Sequence, residues 1–144
     1  GPKAFLADIA RNRAGFDRLG LPRAQTFAYP YGEVTPSVKR DVGREFDLSR
    51  GIHDPDGASI DLDLAASARL YSSTIETVLD QLDVAARERR WLILFGHDVR
   101  DNPSEFGCTP DELTTVLDRI STLDLDVHPV ATALDMIQPE ATPS

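Results

Sequence analysis

The 144-residue sequence has one cysteine, no long hydrophobic run and no excess of positive charge. The single cysteine, Cys108, excludes an intrachain disulfide and a zinc site built from several cysteines. The longest unbroken apolar run, Trp91 to Gly96, is far shorter than the roughly 20 residues of a membrane-spanning helix. The sequence therefore predicts no membrane span. Because 24 acidic residues outnumber 15 basic ones and the arginines are scattered, it does not predict a nucleic-acid partner either.

The remaining composition is that of one ordinary globular domain, with 41% hydrophobic and 27% charged residues. The first residues show no charged and apolar leader of the signal-peptide type, and localisation stays open between bacterial cytoplasm and periplasm. The initial Gly1-Pro2 has the form of a protease-cleavage scar, so we expect a piece of a longer protein. We expect one domain portion over 1–138 and a flexible tail over 139–144, where apolar periodicity is absent.

Apolar spacing and turn residues predict alternating helices and strands. The predicted helices are Ala4–Leu19, Pro36–Phe46, Ser73–Arg90, Pro110–Thr122 and Ala131–Ile137. The predicted strands are Thr26–Tyr29, Asp47–Ile52, Trp91–Phe95 and Leu125–Val130, while Ser59–Tyr71 gives no clear prediction. Threonine followed by proline predicts N-caps at Thr35 and Thr109, and Ser73 with Glu76 has the spacing of a capping box.

Such alternation is typical of a parallel α/β fold. Four strands are too few to close an eight-stranded barrel, so the chain forms either a small open sheet or part of a barrel.

Ligands of parallel α/β folds bind at the carboxyl ends of strands, which selects three places in this chain. These are Pro30-Tyr31-Gly32, His97-Asp98 and the segment after Val127. A histidine such as His97, directly after a buried strand, can act as general acid or base, with Asp98 adjusting its pKa and orientation. Alternatively, His97 hydrogen-bonds to backbone at the strand end, and the residues alone leave both interpretations open.

Several motifs resemble one known family. The stretch Thr26-Phe27-Ala28-Tyr29-Pro30-Tyr31-Gly32-Glu33, followed by a helix and Leu48-Ser49-Arg50-Gly51, resembles the polysaccharide deacetylases, carbohydrate esterases that include the chitin-oligosaccharide deacetylases. Leu92-Ile93-Leu94-Phe95-Gly96-His97-Asp98-Val99 resembles the late strand-histidine motif of that family. The run from Asp101 to Pro110 is similar to a bacterial branch of it. The resemblance covers nearly the whole chain.

This resemblance implies part of a distorted (β/α) barrel with parallel strands and a hydrolase that deacetylates acylated amino sugars. In such enzymes a divalent metal, zinc or similar, activates the attacking water. Tyr31 matches the residue whose backbone N–H helps to hold the oxyanion, and His97 matches the general acid to the leaving amine. By the same resemblance the substrate-binding candidates are Tyr29, Pro30, Leu94 and Asp98, with Leu94 beside the acetyl methyl group.

The sequence also departs from the family. The aspartate pair and the His-x-x-x-His motif that supply base and metal ligands are absent, and His53, His97 and His128 are not at metal-ligand spacing. In the family these motifs precede the helix that resembles Ala4–Leu19, so the chain resembles the C-terminal half of the domain. The metal is therefore expected in a full-length parent and not on this chain alone. Ala28 stands where the family often has arginine.

Other chemistry-bearing residues are expected to have structural roles. Asp61 and Asp63 would share a face of a strand, but we expect solvated loop acids there. We expect His53 in a turn and Trp91 in the core. Cys108 is not expected to act as a nucleophile, because no base is near it in sequence.

Three hypotheses remain. The chain is part of an enzyme, a non-catalytic glycan-binding relative, or a fragment whose exposed half-barrel edges drive homodimer formation. The expected partner in the first two is a polysaccharide or oligosaccharide.

Overall fold

A computed structural model describes residues 1–55 and 60–137 of the chain. The protein is a mixed helix and strand structure, 49% helical and 10% strand, with short parallel strands. The α/β class predicted from the alternation is confirmed at this level, whereas membership of a barrel remains a prediction. The predicted tail over 139–144 lies outside the described residues. In the described part of the chain, no helix combines the length and apolar character needed to cross a membrane.

The elements follow the predicted order except that a short strand, β3, comes directly after β2 and no strand separates the last two helices among the described residues. The helices are α1 (Pro2–Arg18), α2 (Pro36–Val42), α3 (Ile75–Glu88), α4 (Pro110–Thr122) and α5 (Val130–Ile137). The strands are β1 (Thr26–Ala28), β2 (Leu48–Arg50), β3 (Ala68–Arg69) and β4 (Leu94–Phe95). Short 3₁₀ turns occupy Pro30–Gly32 and Ser72–Thr74.

The described residues divide into two compact units. The first unit consists of residues 1–51, 60–65 and 129–137, and the second consists of residues 52–55 and 66–128. The first holds α1, β1, α2, β2 and α5, and the second holds β3, α3, β4 and α4. Each unit contains one pair of parallel strands joined through a helix, which is the βαβ unit of parallel α/β proteins.

The first unit is built around an aromatic core. β1 and β2 pair in parallel, with Thr26 opposite Leu48. The ring of Phe27 packs 4.9 Å from that of Phe46 and 5.5 Å from that of Tyr29. Helix α2 begins where predicted, because the backbone N–H of Val38 donates to Thr35 Oγ1 at 3.3 Å. The buried residues of this core are Ile9, Tyr29, Val38 and Val42.

The second unit packs α3 and α4 over the β3–β4 pair. Ala68 lies opposite Leu94, and Arg69 lies opposite Phe95. An ion pair of 2.6 Å between Arg119 and Asp83 joins α4 to α3. The buried residues of this core are Ala68, Ile75, Val78, Leu82, Cys108 and Val116.

The strand predicted over Leu125–Val130 is wrong. After α4 the chain turns through Asp124, whose φ is 52°, and the Leu125 N–H bonds back to the Ile120 carbonyl at 3.1 Å. Val127 is 69% exposed, so its side chain does not pack into a core as the apolar side chains of a buried strand do. α5 then begins at Val130, and the segment after Val127 is not the end of a strand.

Other predicted boundaries also move. Ser73 does not cap α3: it lies in the 3₁₀ turn, and Thr74 donates from its hydroxyl to the Tyr71 carbonyl at 3.2 Å before α3 begins. The strand predicted over Trp91–Phe95 is limited to its last two residues, and Trp91 is half-buried. β3 occupies two residues of the stretch that gave no clear prediction.

Candidate functional site

His97 lies just beyond the carboxyl end of β4, as the apolar run before it predicts. Gly96 separates the strand from the histidine, and a Cβ atom there would lie 3.1 Å from the carbonyl oxygen of Leu70. The glycine therefore allows the chain to pass close to the backbone that follows β3. The side chain of His97 is exposed.

Three rings pack around His97, and with it they form what we call the aromatic cluster: Tyr71, Phe95, His97 and Phe106. The ring centroids of His97 and Phe106 are 5.4 Å apart, and that of Tyr71 is 5.9 Å from His97. Phe95 lies 5.8 Å from Tyr71 and 6.3 Å from His97. These separations are in the range of favourable aromatic pairs. Since Phe106 is 47% exposed, part of the cluster faces solvent.

Backbone hydrogen bonds bring Phe106 to His97 across a loop. The His97 N–H donates to the Phe106 carbonyl at 3.2 Å. The Cys108 N–H donates to the Asp98 carbonyl at 3.0 Å, and the Arg100 N–H donates to the Cys108 carbonyl at 3.2 Å. The chain from Asp98 to Cys108 is therefore closed on itself, and we call it the 98–108 loop.

The carboxylate of Asp98 is engaged inside this loop. It accepts hydrogen bonds from the Ser104 hydroxyl at 2.6 Å and the Ser104 N–H at 3.0 Å. It also forms an ion pair of 2.7 Å with Arg100. The hydrogen bonds from Ser104, with the guanidinium of Arg100, lower the pKa of Asp98. The role of Asp98 in binding substrate, which the resemblance implies, stays a prediction.

A second carboxylate holds the far end of the loop. Glu112 accepts from the Ser72 hydroxyl at 2.6 Å and from the Thr109 N–H at 2.7 Å, and its own N–H donates to Thr109 Oγ1 at 3.2 Å. The hydrogen bond from Ser72 is the main cause that lowers the pKa of Glu112. Thr109 thus caps α4 as predicted, and Glu112 completes a capping box whose spacing was visible in the sequence.

The other predicted site residues belong to the first unit. Tyr29 is 2% exposed, and its hydroxyl donates to the Asp63 carbonyl at 3.0 Å. Burial raises the pKa of Tyr29. Pro30 is exposed, and Tyr31 is 92% exposed with a φ of 57°. A left-handed conformation at a non-glycine residue is uncommon, and such residues cluster at functional sites.

The predicted site residues are thus divided between the units. Leu94, His97 and Asp98 lie in the second unit, where Leu94 packs against the core. Tyr29, Pro30 and Tyr31 lie in the first unit. Sequence reasoning did not assign roles to Tyr71 and Phe106, which contact His97. Their pairing depends on the closure of the 98–108 loop, and no local sequence pattern predicts that closure.

Three residues that were expected to be structural have structural contacts. Asp61 is exposed, pairs with Lys39 and accepts from the Asp63 N–H at 3.0 Å, and the hydrogen bond from Lys39 lowers its pKa. His53 lies in an exposed bend, and its carbonyl accepts from the Ser67 N–H at 3.0 Å. Cys108 is buried, and burial raises the pKa of its thiol, which opposes formation of a nucleophilic thiolate.

The residues present do not fit the divalent metal that the resemblance implies. Over residues 1–55 and 60–137, no group of three or more His, Cys, Asp or Glu side chains is arranged to hold a metal ion.

Comparison of the chain with protein-family models, with curated proteins and with solved structures found no match.

Proposed function

We propose that the chain is the C-terminal portion of a polysaccharide deacetylase-like hydrolase, which removes acyl groups from acylated amino sugars. The observation that carries the proposal is the exposed His97, which lies at the carboxyl end of a parallel strand within the aromatic cluster. Two βαβ units in one chain are what a portion of a distorted (β/α) barrel would contain, which supports the same proposal.

The aromatic cluster supplies the means of binding a sugar. Aromatic rings offer a flat apolar surface, and ligand sites combine such surfaces with a few polar groups that fix orientation. Here Phe106 provides the exposed apolar ring, and His97 provides the polar group beside it. The acidic Asp101 and Glu105 are exposed in the same loop and favour a neutral or cationic sugar over an anionic one.

His97 is the proposed proton donor. Cleavage of an amide needs a proton on the departing amine, and imidazole is the side chain that exchanges a proton near neutral pH. The hydrogen bond from the His97 N–H to the Phe106 carbonyl fixes the backbone of His97 relative to the Phe106 ring, which would contact the sugar. Tyr31 remains the candidate for oxyanion binding through its backbone N–H, and its left-handed conformation supports a special role.

Replacement of His97 tests the proposal. In the longest natural reading frame that contains this chain, His97→Ala should lower the turnover of acetate release from N-acetylated chitooligosaccharides by about 10²–10⁴-fold, the scale of general acid–base catalysis. His128→Ala is the matched control, because His128 is an exposed histidine of the same unit outside the aromatic cluster. A folded His97→Ala protein with the wild-type rate would remove the assignment.

A non-catalytic glycan-binding relative is the second candidate, because an exposed aromatic cluster binds sugar without any need for catalysis. Calorimetric titration with tetra-N-acetylchitotetraose, beside the acetate assay, separates the two. Binding together with release favours the hydrolase. Binding without release in the full reading frame favours the relative, and neither binding nor release contradicts both.

A further inference from the structure

The 98–108 loop contains an unbroken series of hydrogen bonds from Asp98 to His97. The Asp98 carboxylate accepts from the hydroxyl and the N–H of Ser104. The Ser104 hydroxyl oxygen in turn accepts from the Phe106 N–H at 3.3 Å. The Phe106 carbonyl then accepts from the His97 N–H at 3.2 Å. Each residue in the series fixes the backbone of the next one.

Gly107 makes the closure of this loop sterically feasible. A Cβ atom on Gly107 would overlap both the carboxylate and the carbonyl oxygen of Asp98. The Gly107 N–H also donates to the Ser104 carbonyl at 3.1 Å, and the Gly107 carbonyl accepts from the Ser72 N–H at 2.8 Å. Asp98 therefore contacts the loop on both sides of Phe106, at Ser104 before it and at Gly107 and Cys108 after it.

We infer that Asp98 is a positioning residue, which holds Phe106 against His97 through Ser104 instead of contacting the sugar. The carboxylate has three donors within its own loop, from Ser104 and Arg100, so its oxygens already have partners. Charge-assisted hydrogen bonds of this kind are stronger than neutral ones, which suits a group that orders a loop. The consequence for sugar binding rests on the proposed function, but the positioning itself does not.

The ring-current shift of His97 measures the positioning directly. The chain has three histidines, so ¹³C-labelled imidazoles give three sets of NMR signals, and His53→Gln and His128→Gln assign them. Asp98→Ala should remove most of the shift that the Phe106 ring imposes on His97, while the contribution of the Tyr71 ring stays. Asp98→Asn should keep most of it, because an amide oxygen still accepts from Ser104. Asp101→Ala, which removes an exposed carboxylate from the same loop, should leave the shift unchanged.

Ser104→Ala tests whether the positioning of Phe106 runs through the Ser104 hydroxyl. It also keeps the experiment decisive if Asp98→Ala does not fold. Its loss of the Oγ hydrogen bonds should move the His97 signals in the same direction as Asp98→Ala. Unchanged signals in Ser104→Ala would overturn the route through Ser104. Unchanged signals in a folded Asp98→Ala, or a loss in Asp98→Asn as large as in Asp98→Ala, would overturn the hydrogen-bonded positioning.

Sugar titration forms the second arm. Ser104→Ala should bind tetra-N-acetylchitotetraose about two- to tenfold more weakly than the wild type, the range for loss of one well-placed aromatic contact. Wild-type affinity in Ser104→Ala would overturn the link between the loop and the sugar. If the wild-type protein in its longest natural reading frame binds no sugar, the proposed function fails, while the NMR signals still decide the role of Asp98.

Discussion

Gly107 and Gly15 are one residue type in opposite environments. At Gly107 an added methyl group would meet the carbonyl and the carboxylate of Asp98. At Gly15, inside α1, it would meet only the flexible end of Arg18 at 3.7 Å. The first glycine permits a close approach of two chain segments, whereas the second lowers the helix propensity of α1 with no steric compensation.

Alanine at these two positions should therefore have effects of opposite sign. Gly107→Ala should lower the free energy of unfolding by about 1–3 kcal/mol, the usual cost of forcing extra volume into a packed site. Gly15→Ala should raise it by about 0.5–1 kcal/mol. Urea denaturation of both variants measures the difference. A Gly107→Ala protein as stable as the wild type would contradict the described approach of Gly107 to Asp98.

At the residue scale, the sequence predicts the position of His97 at the end of a strand but not the aromatic rings that pack around it. A buried apolar run followed by glycine and histidine is a local signal, and the structure places His97 at the end of that strand. Phe106 lies nine residues further along, and its place beside His97 depends on the contacts of Asp98 with Ser104. Such loop closure has no periodicity to recognise, so neither Phe106 nor Tyr71 could be assigned from the sequence.

At the element scale, local capping chemistry predicts helix starts well where nothing competes with it. Thr35 and Thr109 each accept from a backbone N–H at the start of a helix, as expected of threonine before proline. The prediction that Ser73 caps α3 is wrong. The hydroxyl of the neighbouring Thr74 donates hydrogen bonds to the carbonyls of Arg69 and Tyr71, and the chain forms a 3₁₀ turn there. β3 was missed because two residues are too few to show an alternation.

The capping box of α4 should make the free energy of unfolding depend on pH in the acidic range. The folded-state pKa of Glu112 is lowered from its usual 4.5, so its charge stabilises the fold above that pH and the stabilisation is lost as pH falls through the lowered pKa. The difference in unfolding free energy between wild type and Glu112→Gln should be largest near neutral pH and should shrink below pH 4.5.

Urea denaturation over this pH range measures the difference. Glu105→Gln, at an exposed position of the 98–108 loop, is the matched control. A wild-type advantage that stays constant into acid would contradict the described contacts of Glu112.

For the whole molecule, the class was predictable and the wider architecture was not. Alternating periodicities gave mixed α/β with parallel strands, because each periodicity is a property of a short segment. The strand predicted after α4 was wrong because Val127 is exposed even though Leu125 packs against the second core, and which residues are buried depends on where neighbouring elements lie. Membership of the two βαβ units in a larger barrel depends on contacts outside either unit, and it stays part of the proposed function.

Self-association is the prediction at this scale. Large apolar side chains are exposed in both units, Leu19 and Met136 in the first and Val127 in the second, and a homodimer would bury such surface. The net charge of −9 opposes association, and salt screens it, so the dimer fraction should rise with ionic strength. Light scattering measures the mass. A 15.8 kDa species at high protein concentration and moderate salt would contradict the prediction.

The division of the chain into units also sets an order of completion during synthesis. The second unit ends at His128, before residues 129–137 add α5 and its buried Leu134 to the first unit. On the ribosome, all of the second unit is therefore made while the first still lacks its last helix. No single cut in the gene separates the two units either, since the first resumes at 60–65 and again at 129. A released chain that ends at His128 should accordingly contain all residues of the aromatic cluster, while its first unit lacks α5.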